Sequence, residues 1–358
     1  MKRLTLANSV LMVSVALAIP SSYAQTSTST TSFLPNPVQF LSTVPSNGDV
    51  NPYGVAVVPA GFPTGGVLNP GDILVSNFNN SQNLQGTGTT IVQITGGKQQ
   101  LFYQAAAGSG IQGLSGGLVI TSSGYVVVGS FPTSDGTCAT AQPGSLIILD
   151  KNGNLVTNWT NTSLVNGPWG MAIDDHGAFT RIYIANALSG TVSRIDFWTL
   201  VGSPVITQNL QIGSGYAHRC DPAALVVAPG GLYYDKTTDL LYVASADDNA
   251  VFSISNASAR TSDGGTGTTV YSDAAHLHGA LMMSKAPNGD LLVSNADVIN
   301  SDSTQPSEIV EFTTAGQFVK ELSVDPNQGG SFGLVASPGQ LAAVDDNTSG
   351  LFIWTIPQ

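Results

Sequence analysis

Short runs of apolar residues recur along this chain, each bounded by glycine, asparagine, aspartate or proline. Runs of that length, rich in Val, Ile, Leu and Tyr, predict β-strands, and their near-continuous apolar character predicts strands covered on both faces. They also come in a fixed order. A first strand opens beside Gly54, Gly117, Gly170, Gly231, Gly279 and Gly333, at intervals of 63, 53, 61, 48 and 54 residues. A second strand follows at 72–77, 124–129, 181–186, 240–245, 290–295 and 340–345, and a third at 91–94, 145–149, 191–197, 250–254, 308–312 and 351–355. Turn signals such as Asp150-Lys151-Asn152-Gly153 and Pro287-Asn288-Gly289 join them, supplying residues that tolerate positive φ.

A repeat near 55 residues is the signature of a repeat architecture rather than of a β-sandwich. The sixth unit holds only three strands before the sequence stops at Gln358, and Val38-Gln39-Phe40-Leu41-Ser42-Thr43 is free to supply its fourth. The reading is an all-β, six-bladed β-propeller of four-stranded blades, closed by an N-terminal strand that completes the last blade and removes two exposed sheet edges.

The N-terminus adds a destination. Lys2 and Arg3 precede an apolar run from Val10 to Ile19 and the small-residue site Ser22-Tyr23-Ala24, the three parts of a secretory signal. This predicts a signal peptide at 1–24, a flexible Ser/Thr-rich leader at 25–36 and one propeller domain at 37–358, in a protein secreted or held in the periplasm. Without the signal, 9 basic residues face 23 acidic ones, a net charge of −14. So few cations, with no cluster among them, exclude nucleic acid as a partner. No segment after the signal is long and apolar enough to insert in a membrane, and a monomer is expected. Two cysteines in an exported chain predict a disulfide. Cys138 and Cys220 both fall in connections that a propeller path puts on one face.

With a Pro-x-Gly start, an apolar strand and a second strand ending in Asn or Asp, the unit resembles those of NHL-repeat and gluconolactonase-like six-bladed propellers. That resemblance spans residues 37–358 and implies a fold that serves lactonases, lyases and pure binding proteins alike. In gluconolactonase-type enzymes it implies a divalent metal held in the channel by Glu, Asn and Asp; here Glu308, Glu311 and Glu321 all fall in the outer half of the fifth unit. In NHL-type amidating lyases it implies histidines around a channel metal.

Other motifs match patterns without their context. Gly113-Leu114-Ser115-Gly116-Gly117 fits a nucleophile elbow, but a strand follows where a helix is required. Gly108–Gly113 fits a dinucleotide fingerprint and opens no helix. Asp345-Asp346-Asn347 begins like a calcium loop that ends on Ile356 instead of Glu.

The candidate site is the top mouth of the channel. His218, Arg219, His276 and His278 lie in connections expected to meet there, with the three histidines as candidate ligands of a divalent metal, zinc or calcium. Asn77, Asn186 and Asn295 end second strands on the same face and are candidates for orienting a ligand. Tyr53, Trp169, Tyr233 and Phe332 stand beside repeat glycines, either ringing the mouth or, as the preferred reading, wedged between blades. The function expected is a binding or scaffold propeller that recognises a protein, carbohydrate or small molecule through top-face loops 77–90, 130–144 and 295–307. The alternative is a metal-assisted lyase or hydrolase working in the channel.

Overall fold

The computed structural model describes residues 39–199 and 203–356; the signal peptide and leader expected at 1–36 lie outside them. Six four-stranded antiparallel sheets follow one another in the chain. Blade 1 comprises Val50–Val57, Ile73–Asn79, Thr90–Thr95 and Lys98–Gln104, and blade 2 comprises Leu114–Ile120, Tyr125–Ser130, Ser145–Asp150 and Leu155–Trp159. Blade 3 runs Pro168–His176, Phe179–Asn186, Thr191–Trp198 and Val205–Gly213, and blade 4 runs Pro229–Asp235, Leu240–Ser245, Ala250–Ser255 and Thr268–Tyr271. Blade 5 has Ala280–Lys285, Leu291–Asn295, Glu308–Phe312 and Phe318–Ser323; blade 6 has Ser331–Ser337, Gln340–Asp345 and Gly350–Thr355. Gln39–Ser42 pairs with Gly350–Thr355 and so completes blade 6 from the other end of the chain. The protein is a six-bladed β-propeller. The closing strand was legible because the count of three strands left one place open.

Second strands are buried throughout, as their unbroken apolar runs require: Leu74, Val75, Val126, Val127, Val128, Leu241 and Val243 are all shielded from solvent. Each blade buries these faces against its neighbours, so the core is a ring of inter-blade layers rather than one centre. The repeat glycines sit where innermost strands crowd the axis. A methyl group on Gly170 would lie 2.1 Å from the carbonyl oxygen of Gly230, and one on Gly54 would lie 2.6 Å from Ser76 Oγ. Glycine recurs there because neighbouring backbones leave no room for a side chain.

The nucleophile-elbow match resolves into the same stitching. Ser115 is fully buried in the first strand of blade 2, and its hydroxyl donates to the carbonyl of Pro168 in blade 3 at 2.6 Å. Among the described residues no helix is long and apolar enough to cross a membrane.

Candidate functional site

Three of the four aromatic residues beside the repeat glycines meet near the axis. Tyr53 of blade 1 stacks on Phe332 of blade 6 with ring centroids 4.6 Å apart and meets Trp169 of blade 3 edge-on at 4.9 Å. Phe78 and Phe131 close the group from the side. Blades 1 and 6 are neighbours in the ring, so Tyr53 and Phe332 pack between adjacent blades, whereas Tyr53 and Trp169, from the non-adjacent blades 1 and 3, meet across the axis; together the rings close the channel beneath its mouth. Lower down, Met282 of blade 5 extends toward Gly116 of blade 2, leaving a residual void of about 50 Å³. The flexible thioether fills an irregular gap left where the inner strands converge. Tyr233 stands apart, near Tyr242 and Lys285.

Above the plug the chain adds a feature that repeat counting cannot see. The connection from blade 3 to blade 4 folds into a two-stranded ribbon, Arg219–Asp221 with Leu225–Val227. Leu225, at φ +64°, Val226 and Ala228 join the hydrophobic cluster of Tyr53, Phe131 and Trp169. The ribbon crosses to the blade 1 loop, where Gln85 Nε2 donates to the carbonyl of Ala223 at 2.6 Å. Cys220 forms the predicted disulfide with Cys138, whose short 3-10 turn, Cys138–Thr140, belongs to the loop of blade 2. A covalent tether therefore holds the ribbon over the mouth.

Between ribbon, plug and the loops of blades 1, 5 and 6 lies a pocket of about 330 Å³. Its lining includes apolar residues, among them Ala224, Val226, Val227, Ala246 and Leu281, and polar ones, among them Asn51, Asn79, Asp297 and Asp346. Tyr53 and Phe332 form part of the lining. Asn51 and Asn79 are 6% and 2% exposed, yet neither side-chain oxygen meets a hydrogen-bond donor, nor does Asp297 Oδ1. Asp297 Oδ2 accepts from the backbone N–H groups of Ser307 and Gly329. Burial, with the neighbouring Asp345 second, pushes the Asp346 carboxyl up to about 7. Burial also raises Asp297, against the N–H groups of Gly329 and Ser307 and the nearby His278. Behind the pocket, Glu308 rises to about 7, again chiefly through burial.

The residues singled out from the sequence lie around this pocket, not in it. His276 stacks on Phe318 at 3.7 Å and pairs with Glu321 at 2.9 Å, on the outermost strand of blade 5. His278 is buried against the carbonyl of Asn300 at 2.7 Å and Gln305 Oε1 at 3.3 Å. His218 approaches the carbonyl of Tyr216 at 3.1 Å, and Arg219 pairs with Asp247 and Asp221. The three histidines do not converge, and no three His, Cys, Asp or Glu side chains do so among the described residues. An extended segment would aim His276 and His278 to one side; the segment 273–279 instead turns, with the His276 and Leu277 N–H groups bonded back to Asp273.

Asn77, Asn186 and Asn295 are fully buried and serve their own blades. Asn77 donates to the carbonyl of Thr43, Asn186 accepts from the N–H of Asn166, and Asn295 accepts from the N–H of His278. Each fastens the segment that enters its blade to the end of its second strand. That structural demand, met with one residue type in three blades, is what made them stand out in the sequence. The pocket residues carried a weaker signal: Asn51 precedes the Pro-x-Gly start, and Asp297 and Asp346 fall just beyond second strands.

The unpaired Asp346 makes a measurable liability. Its folded pKa exceeds that of an unfolded aspartate, so the folded state holds the proton more tightly and its contribution to stability falls as pH rises from about 4 to about 7. Asp346→Asn is expected to raise unfolding free energy at pH 8 by on the order of 2 kcal/mol and to leave it unchanged at pH 3.5. Urea melts at both pH values check this; an equal effect at both would mean that the charge is not the cause.

No family model and no curated protein matches the sequence. Solved structures do match the fold. Virginiamycin B lyase from Staphylococcus aureus aligns with a TM-score of 0.53 at 12% identity, over 89% of this chain and 99% of that one. A putative oxidoreductase (glucose dehydrogenase) from Thermus thermophilus aligns at 0.53 and 13%, over 88% and 99%. A chain of a nidogen/laminin complex aligns at 0.51 and 12%, over 75% and 86%. These similarities establish a six-bladed-propeller-like architecture shared by enzymes and by a protein found in a protein–protein complex.

Proposed function

We propose that this is an exported binding propeller whose ligand site is the pocket between the axial plug and the disulfide-tethered ribbon. The observation that carries the reading is the pairing of a channel filled with aromatic rings and an intact pocket above it, where buried amide and carboxylate oxygens have no partners. Buried polar groups are costly to leave unpaired. A recognition pocket keeps them for a ligand. The lining offers no hydroxyl or thiol nucleophile beside a base, since its only hydroxyl is the phenol of Tyr53, raised further by burial and by Asp346. The nidogen/laminin match supports a binding role for such a fold.

A metal-assisted lyase or hydrolase is the second reading. It is favoured by the proton-holding carboxyls of Asp346 and Glu308 and by the virginiamycin B lyase match.

The test is a screen of small molecules and carbohydrates by thermal shift and ligand-observed NMR, repeated on Ala224→Trp, which fills the pocket from the ribbon side. Hits are expected to disappear in the variant while its melting temperature stays put. Hits that bind both proteins equally would move the site to the outer loops. Turnover of a hit on addition of a divalent metal would instead favour the enzyme.

A further inference from the structure

We infer that the mouth pocket receives an organic ammonium group carried on an apolar body. The inference rests on the mouth being the binding site and adds the chemistry of what enters it.

The pocket carries carboxylates and amides but no cation. Asp297 and Asp346 face it, and no Lys, Arg or His lines it. The nearest cations are committed elsewhere: Arg219 to Asp247 and Asp221, and His278 to Asn300 and Gln305. Asn51 and Asn79 add buried amide oxygens with no donor within reach. An anion would be repelled here. A neutral ligand would bury two carboxylates further and bring no compensating charge. A cation with N–H donors brings both the missing charge and hydrogen bonds for these oxygens, and a primary ammonium has three N–H donors.

The apolar part of the lining decides what kind of cation. Val226, Val227 and Leu281 offer only hydrocarbon, and the stacked pair of Tyr53 and Phe332 offers ring surface of the type that attracts ammonium groups. A volume of about 330 Å³ is far more than a bare ion fills and suits a body of roughly ten to fifteen heavy atoms. Half the pocket would be wasted on a metal ion.

The experiment is isothermal titration of the mature protein with 2-phenylethylammonium and with its neutral analogue 2-phenylethanol, each in the presence and absence of calcium chloride. The amine is expected to bind at least about tenfold more tightly than the alcohol, the effect of one charge-assisted hydrogen bond. Asp346→Asn is expected to weaken the amine about tenfold and leave the alcohol unchanged. That variant should fold, because the Asp346 carboxylate accepts no hydrogen bond among the described residues. Its melting curve verifies this. Equal binding of amine and alcohol, both abolished by Ala224→Trp, would overturn the ammonium assignment and leave the mouth as the site. Amine binding that survives Ala224→Trp would overturn both. Displacement of the amine by calcium at one ion per chain, or no binding of the amine at all, would also overturn the assignment.

Discussion

Replacing Cys138 and Cys220 with serine is expected to lower unfolding free energy by about 4 kcal/mol and to free the ribbon from the mouth. The bridge links positions 82 apart in sequence, and in the chain-entropy view a closed loop of that size removes much of the unfolded chain's freedom. Spread over a domain of this size, the loss corresponds to a fall in melting temperature of about 6 °C. The local effect should exceed the global one. Leu225 and Val226 pack on the axial cluster, but Arg219 and Cys220 are exposed, and besides the disulfide the outer side of the ribbon is held by Gln85 and by the Arg219–Asp247 ion pair. Amide exchange at 219–227 should accelerate well before exchange in the second strands of blades 3 and 4. Mouth ligands should weaken in parallel. Unchanged exchange at 219–227 in the double variant would show that the apolar side of the ribbon suffices and that the tether does not govern the pocket.

The ring was legible in the sequence because it is written in the chemistry that repeats. Apolar runs between turns mark strands that are covered on both faces, and the glycines near the axis recur because each blade meets the same crowding, as Gly170 does against Gly230. The disulfide was legible from compartment and path alone. The pocket was not, because nothing about it repeats. It arises from one irregular connection, 213–228, which curls over the axis where other blades have plain entries, and from single residues such as Asn51 and Asp346 that are recognisable only by the absence of a partner. Histidine misled for a related reason. With only four copies in the chain, it drew notice, whereas His276 and His278 hydrogen-bond to blade 5. The three asparagines drew notice through a periodicity that is real but belongs to blade construction.

Deleting the chain through residue 44 is expected to make the protein aggregate or melt far earlier, whereas deleting it only through residue 32 should change little. The longer deletion removes Gln39–Ser42 and with it the partner of Gly350–Thr355. That uncovers a strand edge bearing Leu351, Phe352, Ile353 and Trp354, an apolar edge of the kind that pairs with other chains. Three further losses follow. The Phe40 ring leaves Phe352, which it meets at 5.3 Å; Leu41 leaves the layer it shares with Leu351 and Ile353; and Thr43 no longer bonds to the carbonyl of Ser349. Asn77, fully buried, loses the carbonyl of Thr43 and keeps only its bond to Thr90 Oγ1, and a lost buried hydrogen bond costs about 1 kcal/mol. Blades 1 and 6 are neighbours through their inner strands as well, so the opening would spread from the rim toward the axis, where Tyr53 stacks on Phe332. Size-exclusion chromatography and thermal melting of the two truncations decide the matter: the shorter should elute and melt like the full mature chain, and the longer should aggregate or melt far earlier. If the longer truncation instead stays monomeric with the same melting temperature, the inner strands alone hold the ring closed and the terminal strand is dispensable.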